Sequence, residues 1–166
     1  MKVLLPTEGS DFSKAAIMKC CKMFDESENT EIRIISAAEP AQVPAEPYAV
    51  SAEYIGALDA VALKRANEAV AEAEGEIRKS SPDLAVGMSS KVVTGYPQQT
   101  IVEEAENWGA DLIIMGSHGY GFWQRALLGS VSDSVVHHAP CSVLVVRPSH
   151  EPNGKKNGTT LGERRK

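Results

Sequence analysis

Asp111-Leu112-Ile113-Ile114-Met115-Gly116-Ser117-His118-Gly119 is the stretch on which the fold turns. Its first half is an unbroken apolar run of strand length, ended by a glycine. A strand with one face in water alternates apolar and polar residues. A continuous run reads as a strand buried on both faces, which belongs in the middle of a parallel sheet.

Working outward, strand-length and helix-period segments alternate. Upstream, Val3-Leu4-Leu5 stops at Pro6-Thr7, and Ser10 can cap a helix reaching about Asp25. Ile32 to Ser36 is a second β-rich run, followed by a loop whose Pro40, Pro44 and Pro47 exclude regular structure. A long helix starts near Ser51 or Ala52. Its stripe of Ile55, Leu58, Ala62, Ala66, Ala69, Ala73 and Ile77 is rich in alanine and predicts close packing on a sheet. Ser80-Ser81-Pro82 ends that helix. Leu84 to Thr94 alternates loosely, as an edge strand does, and Pro97 opens a helix to about Trp108. Downstream, residues 116–129 lead to a short helix from Ser130 to His138, and Pro140 introduces a last strand, Ser142 to Val146. Strict alternation of five strands and four helices predicts an α/β fold with a doubly wound parallel sheet and right-handed crossovers.

Composition narrows the class. The 166 residues carry a net charge of −5, with 43% hydrophobic, 23% charged and 5% aromatic residues, ordinary proportions for a globular chain. No apolar run approaches the ~20 residues of a bilayer span, and Met1 to Pro6 is too short for a signal sequence. Residues 1–148 hold 12 Lys/Arg against 20 Asp/Glu, a net of −8, whereas residues 149–166 hold 5 against 2, a net of +3. An acidic body argues against nucleic-acid binding, which needs basic contacts to phosphate. The expected organisation is one domain over 1–148 and a basic, disordered tail over 149–166. Cys20, Cys21 and Cys141 have neither metal-ligand nor redox spacing, and adjacent Cys20 and Cys21 point in different directions on a helix. With no secretion signal, buried free thiols and a cytoplasmic location are expected.

Ligands of such sheets bind at the carboxyl ends of the strands. That directs attention to Pro6-Thr7-Glu8-Gly9-Ser10 and to Gly116 through Ser132. In the second segment Gly116 and Gly119 are followed, after nine intervening residues, by Gly129-Ser130 at a helix start. Glycines allow positive φ and close approach of a ligand to the amides. A helix N-terminus presents unpaired N–H groups to an anion, and Ser130 and Ser132 add hydroxyl donors.

The spacing Gly116-x2-Gly119-x9-Gly129-Ser130 is flanked by Leu112-Ile113-Ile114-Met115 and by Pro140-Cys141-Ser142-Val143-Leu144-Val145-Val146. Together they closely resemble the universal stress protein family over residues 2–148, and in particular its ATP-binding branch. The resemblance implies a Rossmann-like, adenine nucleotide α-hydrolase-like fold with strand order 3-2-1-4-5. It implies that Gly116, Ser117, His118, Gly119, Gly129, Ser130, Val131 and Ser132 hold the ribose and phosphates. Pro6, Thr7 and Glu8 would contact the base and ribose, Ala37 would pack on adenine, and Met115 would lie beside the ribose. It also implies a homodimer through the last strand, Val143 to Val146, an apolar edge that would be a pairing hazard if left bare. Two positions depart from the family pattern. Glu8 stands where Asp is usual, and Ala37 where a larger residue such as Val is common, a loss of packing of about 1 kcal/mol. ATP, AMP and a cyclic adenine nucleotide all stay open as ligands.

Residues 110–148 carry Asp111, Asp133, Arg125 and Arg147, a net of zero in which the anion is expected. One arginine and a helix dipole do not balance a triphosphate, so Mg²⁺ or Mn²⁺ held by the phosphates is expected with it. There is no P-loop, no GxSxG, and Gly119-Tyr120-Gly121 lacks the third glycine of a dinucleotide fingerprint. Adjacent Ser117 and His118 rarely face each other and lack a fixed acidic partner, so no catalytic residue is assigned. His137-His138 cannot chelate a metal from one helical face, and no metal ligand is assigned. Phe122 and Trp123 read as packing against the body, and Trp108 as core. The function expected is a nucleotide-binding regulatory module of the stress response that meets an unidentified protein partner. The alternatives are an enzyme using an adenine nucleotide (a slow ATPase or a nucleotidyl transferase) and an interaction protein whose site stays empty.

Overall fold

The computed structural model describes residues 1–24, 29–42, 51–119 and 128–148. Asp25, Pro44, Pro47, Phe122, Trp123, Arg125 and the tail lie outside the described residues. The chain runs β1 (Lys2–Pro6), α1 (Asp11–Phe24), β2 (Glu31–Ala38), α2 (Ala52–Ser80), a 3₁₀ turn (Leu84–Gly87), β3 (Met88–Thr94), α3 (Pro97–Trp108), β4 (Leu112–Gly116), α4 (Ser130–His138) and β5 (Ser142–Val146). All four strand pairings are parallel, in the order β3-β2-β1-β4-β5.

Alternation along the strands divides the core in two. Val3, Leu5, Ile32, Ile34 and Ile114 face α1 and α2, where Ile17, Phe24, Val70 and Ile77 meet them. Leu4, Ile35, Ile113 and Met115 face the other way, against Ile101 and Ala105 of α3 and Val135 of α4. Leu4, Ile113 and Ile114 are wholly inaccessible, as strands buried on both faces require.

Local signals account for the helix ends. The Ser10 hydroxyl accepts the Ser13 N–H at 3.3 Å and caps α1. Pro97 occupies the first turn of α3, and Gly109, at φ 67°, closes it in the left-handed conformation.

Two expectations are corrected. Leu84–Gly87 is a 3₁₀ turn rather than strand, because pairing with β2 begins only at Met88↔Ile32. The buried stripe of α2 starts at Ala66, while Leu58 stays 41% exposed. At 29 residues and about 1.5 Å each, α2 is far longer than the strands it covers, so its first half overhangs the sheet. Cys20 and Cys21 are both buried, as expected, although they point in different directions, because α1 packs on the sheet and on α2 at once. Burial pushes the Cys20 thiol up to about 12.

Candidate functional site

The connections leaving neighbouring strands β1 and β4 pass to opposite faces of the sheet, α1 on one side and α4 on the other. A crevice must open between them at the carboxyl edge. There the structure has a cleft of 470 Å³, within the ~300–1,000 Å³ of small-molecule sites.

One wall is the exit of β1. Thr7 is buried and donates its N–H to Ile35 O at 2.9 Å, while its hydroxyl donates to Ser13 Oγ and accepts from the Gly9 N–H, each at 3.3 Å. Gly9 takes φ 85°, where a side chain would be strained. The Ser10 hydroxyl donates to the Glu8 carboxylate. Burial raises the Glu8 carboxyl above its ordinary range, and the bonds from Ser10 and from backbone N–H groups offset this only in part. Gly119 lies directly against it: a Cβ there would sit 3.3 Å from Glu8 Oε1.

The opposite wall is built from the exit of β4 and the start of α4. Ser117 donates its N–H to Val146 O at 2.8 Å, and its carbonyl accepts both the Gly129 N–H and the Ser132 hydroxyl, each at 2.8 Å. These bonds pin the two ends of the glycine motif together. The first amides of α4, on Ser130, Val131 and Ser132, have no partner within the helix and open on the cleft. Gly129 occupies the N-cap without a capping side chain, so nothing from the cap competes for those amides.

All the candidate residues except Ser117 line this one cleft: Pro6, Thr7, Glu8, Ala37, Met115, Gly116, His118, Gly119, Gly129, Ser130, Val131 and Ser132. Ser117 is wholly buried behind it. The Ser132 hydroxyl is committed to Ser117 O and Gly129 O, so it is not the free donor expected. Nor do Gly116, Gly119 and Gly129 adopt positive φ. Their small size answers close approach instead: a Cβ on Gly116 would lie 2.7 Å from the Phe12 carbonyl carbon, and one on Gly129 3.3 Å from His118 Cα. Gly116 is therefore required by the packing of α1 on β4, whatever the cleft holds.

Ser117 and His118 do meet, contrary to expectation, with Oγ 3.1 Å from Nδ1. The His118 ring also packs on Phe12, centroids 5.3 Å apart. With Ser117 at 0% exposure its hydroxyl cannot reach a molecule in the cleft. Among the described residues no three His, Cys, Asp or Glu side chains gather as metal ligands. His137 and His138 set Nδ1 against carbonyls of their own helix at 2.8 and 2.7 Å. Trp108 packs against the core from a half-buried position, with Arg33 4.4 Å and Lys2 5.6 Å from its ring centre.

Sequence reasoning missed a group of lining residues: Glu39, Ala62, Arg65, Ala66, Pro97 and Thr100. Ala62, Arg65 and Ala66 stand at i, i+3 and i+4 of α2, so projecting the helix face would have brought them together. Arg65 adds a cation to the one counted for the anion.

The profile described as "Universal stress protein family" matches residues 1–147. A universal stress protein of Methanocaldococcus jannaschii is 36% identical over 149 residues, covering 88% of this chain and 81% of its own. Among solved structures, the universal stress protein UspA from Lactobacillus plantarum superposes with a TM-score of 0.66 at 24% identity, covering 89% of this chain and 97% of its own. A universal stress protein in complex with cAMP superposes at 0.60 with 25% identity, covering 90% and 98%.

Proposed function

This chain belongs to the universal stress protein family, and from that premise we propose that it is an adenine-nucleotide-binding regulatory module with ATP as its ligand. The observation that carries the reading is one cleft whose α4 end offers the open amides of Ser130, Val131 and Ser132, and whose β2 end offers the apolar Ile35 and Ala37. Phosphate suits the first and a base the second. The relative that holds cAMP supports an adenine nucleotide as the class of ligand. Phosphates seated on the amides carry Mg²⁺ or Mn²⁺ themselves, since a triphosphate exceeds the positive charge the cleft offers. Burial raises the Glu8 carboxyl, which favours its neutral form and so works in the same direction as an anion nearby.

We assign the module no rapid hydrolysis. Ser117 is out of reach, and no described residue pairs a nucleophile with an oriented base at the cleft. The output of binding is a change in how the module meets a protein partner. The open edge of β5, Val143, Leu144, Val145 and Val146, is the surface proposed for a homodimer. The free thiols of Cys20, Cys21 and Cys141 suit the reducing cytoplasm in which we place it.

The test is to denature the purified protein and identify released nucleotide by mass spectrometry, then titrate stripped protein with ATP, AMP and cAMP by calorimetry. Carry-over of ATP, or its tightest binding, is expected. Failure of all three to bind overturns the reading, and turnover of bound ATP on the scale of seconds replaces it with an enzyme.

A further inference from the structure

α2 supplies a side of the cleft that the reading above leaves without a task. The first half of this 29-residue helix has no fully buried residue before Ala66. The half stands beyond the carboxyl edge of the sheet, where the cleft lies. Ala62, Arg65 and Ala66 face the cleft from one side of the helix. Helical side chains lean toward their own N-terminus, so Arg65 reaches away from the sheet and over the space a ligand would occupy. Its neighbours on that face are alanines, which leave room for a flat group beside its guanidinium. Among the described residues no carboxylate lies within ion-pair distance of Arg65, although Lys64 beside it reaches Glu68 at 3.8 Å.

Position decides which part of a nucleotide Arg65 meets. Ala37 and Glu39, at the end of β2, line the cleft on the same side as α2. The amides of α4 belong to the side of β4 and β5, and β1 lies between β2 and β4. Two strand spacings make about 10 Å, so phosphates on α4 place the base toward β2. We infer that Arg65 is a base-recognising residue, its guanidinium plane stacked on the purine face to complete from α2 the wall that Ala37 leaves shallow. This rests on the nucleotide reading above. A planar, weakly hydrated guanidinium suits an aromatic face, which a lysine ammonium does not match.

The experiment measures adenosine, AMP and ATP affinities by calorimetry for the wild type, Arg65→Ala and Arg65→Lys, at two salt concentrations. Arg65 is exposed and mid-helix, so alanine there keeps the fold, and an unchanged thermal midpoint without ligand checks it. Stacking predicts a loss of about tenfold that is the same for all three ligands, is not restored by lysine, and leaves the salt dependence of ATP binding as it was. A loss growing from adenosine to ATP and rescued by lysine overturns the inference and makes Arg65 a phosphate counter-charge. Equal affinities in all three proteins overturn it as well. A wild type that binds none of the ligands overturns the nucleotide reading itself, and this inference with it.

Discussion

Replacing Ser130 by aspartate sets the fold and the proposed ligand against each other. Ser130 is the first residue of α4, exposed, and borders the cleft. A carboxylate in the first turn of a helix is favourable by about 0.3–1 kcal/mol through the dipole, so the apo protein should melt higher by roughly 1–4 °C at ~2–4 °C per kcal/mol for a chain of this size. A phosphate on the Val131 and Ser132 amides would lie about 5 Å from the new charge. At effective dielectric constants of ~20–40 each phosphate charge then costs about 1.5–3 kcal/mol, or roughly 10- to 150-fold in affinity. With ATP at ~100 times the wild-type Kd, the wild type gains about 2.7 kcal/mol, and a variant weakened ~100-fold gains only about 0.4. Thermal-shift curves with and without ATP should therefore move in opposite senses: the apo midpoint up, the ATP-induced shift reduced from about 5–11 °C to about 1–2 °C. Ser130→Asn, neutral and also a good residue at helix starts, should keep the full shift, and adenosine should bind Ser130→Asp as it binds the wild type. An Asp variant that binds ATP as tightly as the wild type would refute the placement of phosphate at α4.

Three further outcomes follow from packing and charge. Gly116→Ala should lower the urea midpoint by an equivalent of about 1–3 kcal/mol with or without nucleotide, because its Cβ would lie 2.7 Å from the Phe12 carbonyl carbon; unchanged stability would mean that α1 yields freely. Burial alone would raise the Glu104 carboxyl, but hydrogen bonds from Lys91 at 2.7 Å and Arg33 at 2.8 Å outweigh it and hold the group below its ordinary range. Its stabilisation is thus present at neutral pH and lost as pH falls through the folded-state value, so Glu104→Gln should cost about 1–3 kcal/mol at pH 7 and converge on the wild type in acid urea titrations. Val145→Lys, a charge on the open edge of β5, should turn a dimer into monomers in light scattering, and a surviving dimer would assign the interface to another surface.

What could be read in the sequence, and what could not, divides along a physical line. Periodicity reports which faces of an element are buried, so the order of elements and the parallel sheet were legible from runs such as Leu112 to Met115 and from the helix-period segments between the strands. Periodicity does not report how far an element extends past its neighbours. The stripe of α2 continues through Ile55 and Leu58 at the right spacing, yet there is no sheet beneath them. Leu84 to Gly87 alternates like a strand and still turns, ahead of the point where pairing with β2 starts at Met88↔Ile32.

The site shows the same division, more sharply. The glycines of the motif were legible as residues needing space, but not whose space they provide. Gly116 makes room for the backbone of α1, Gly129 for His118 and Ser117, and Gly119 for the carboxylate of Glu8. Substitution at Gly116 would thus disturb the cleft by moving α1, apart from any contact that glycine makes as part of its lining. Ser117 likewise acts from behind the cleft, tying Gly129 and Ser132 to the end of β4 so that the amides of α4 point where they do. Arg65 carries the converse lesson: a residue outside every motif, on a helix read as packing only, brings a charge to the wall of the cleft. A motif names the residues that shape the backbone of a site. The side chains that choose its occupant can come from any element whose length carries it past the sheet edge.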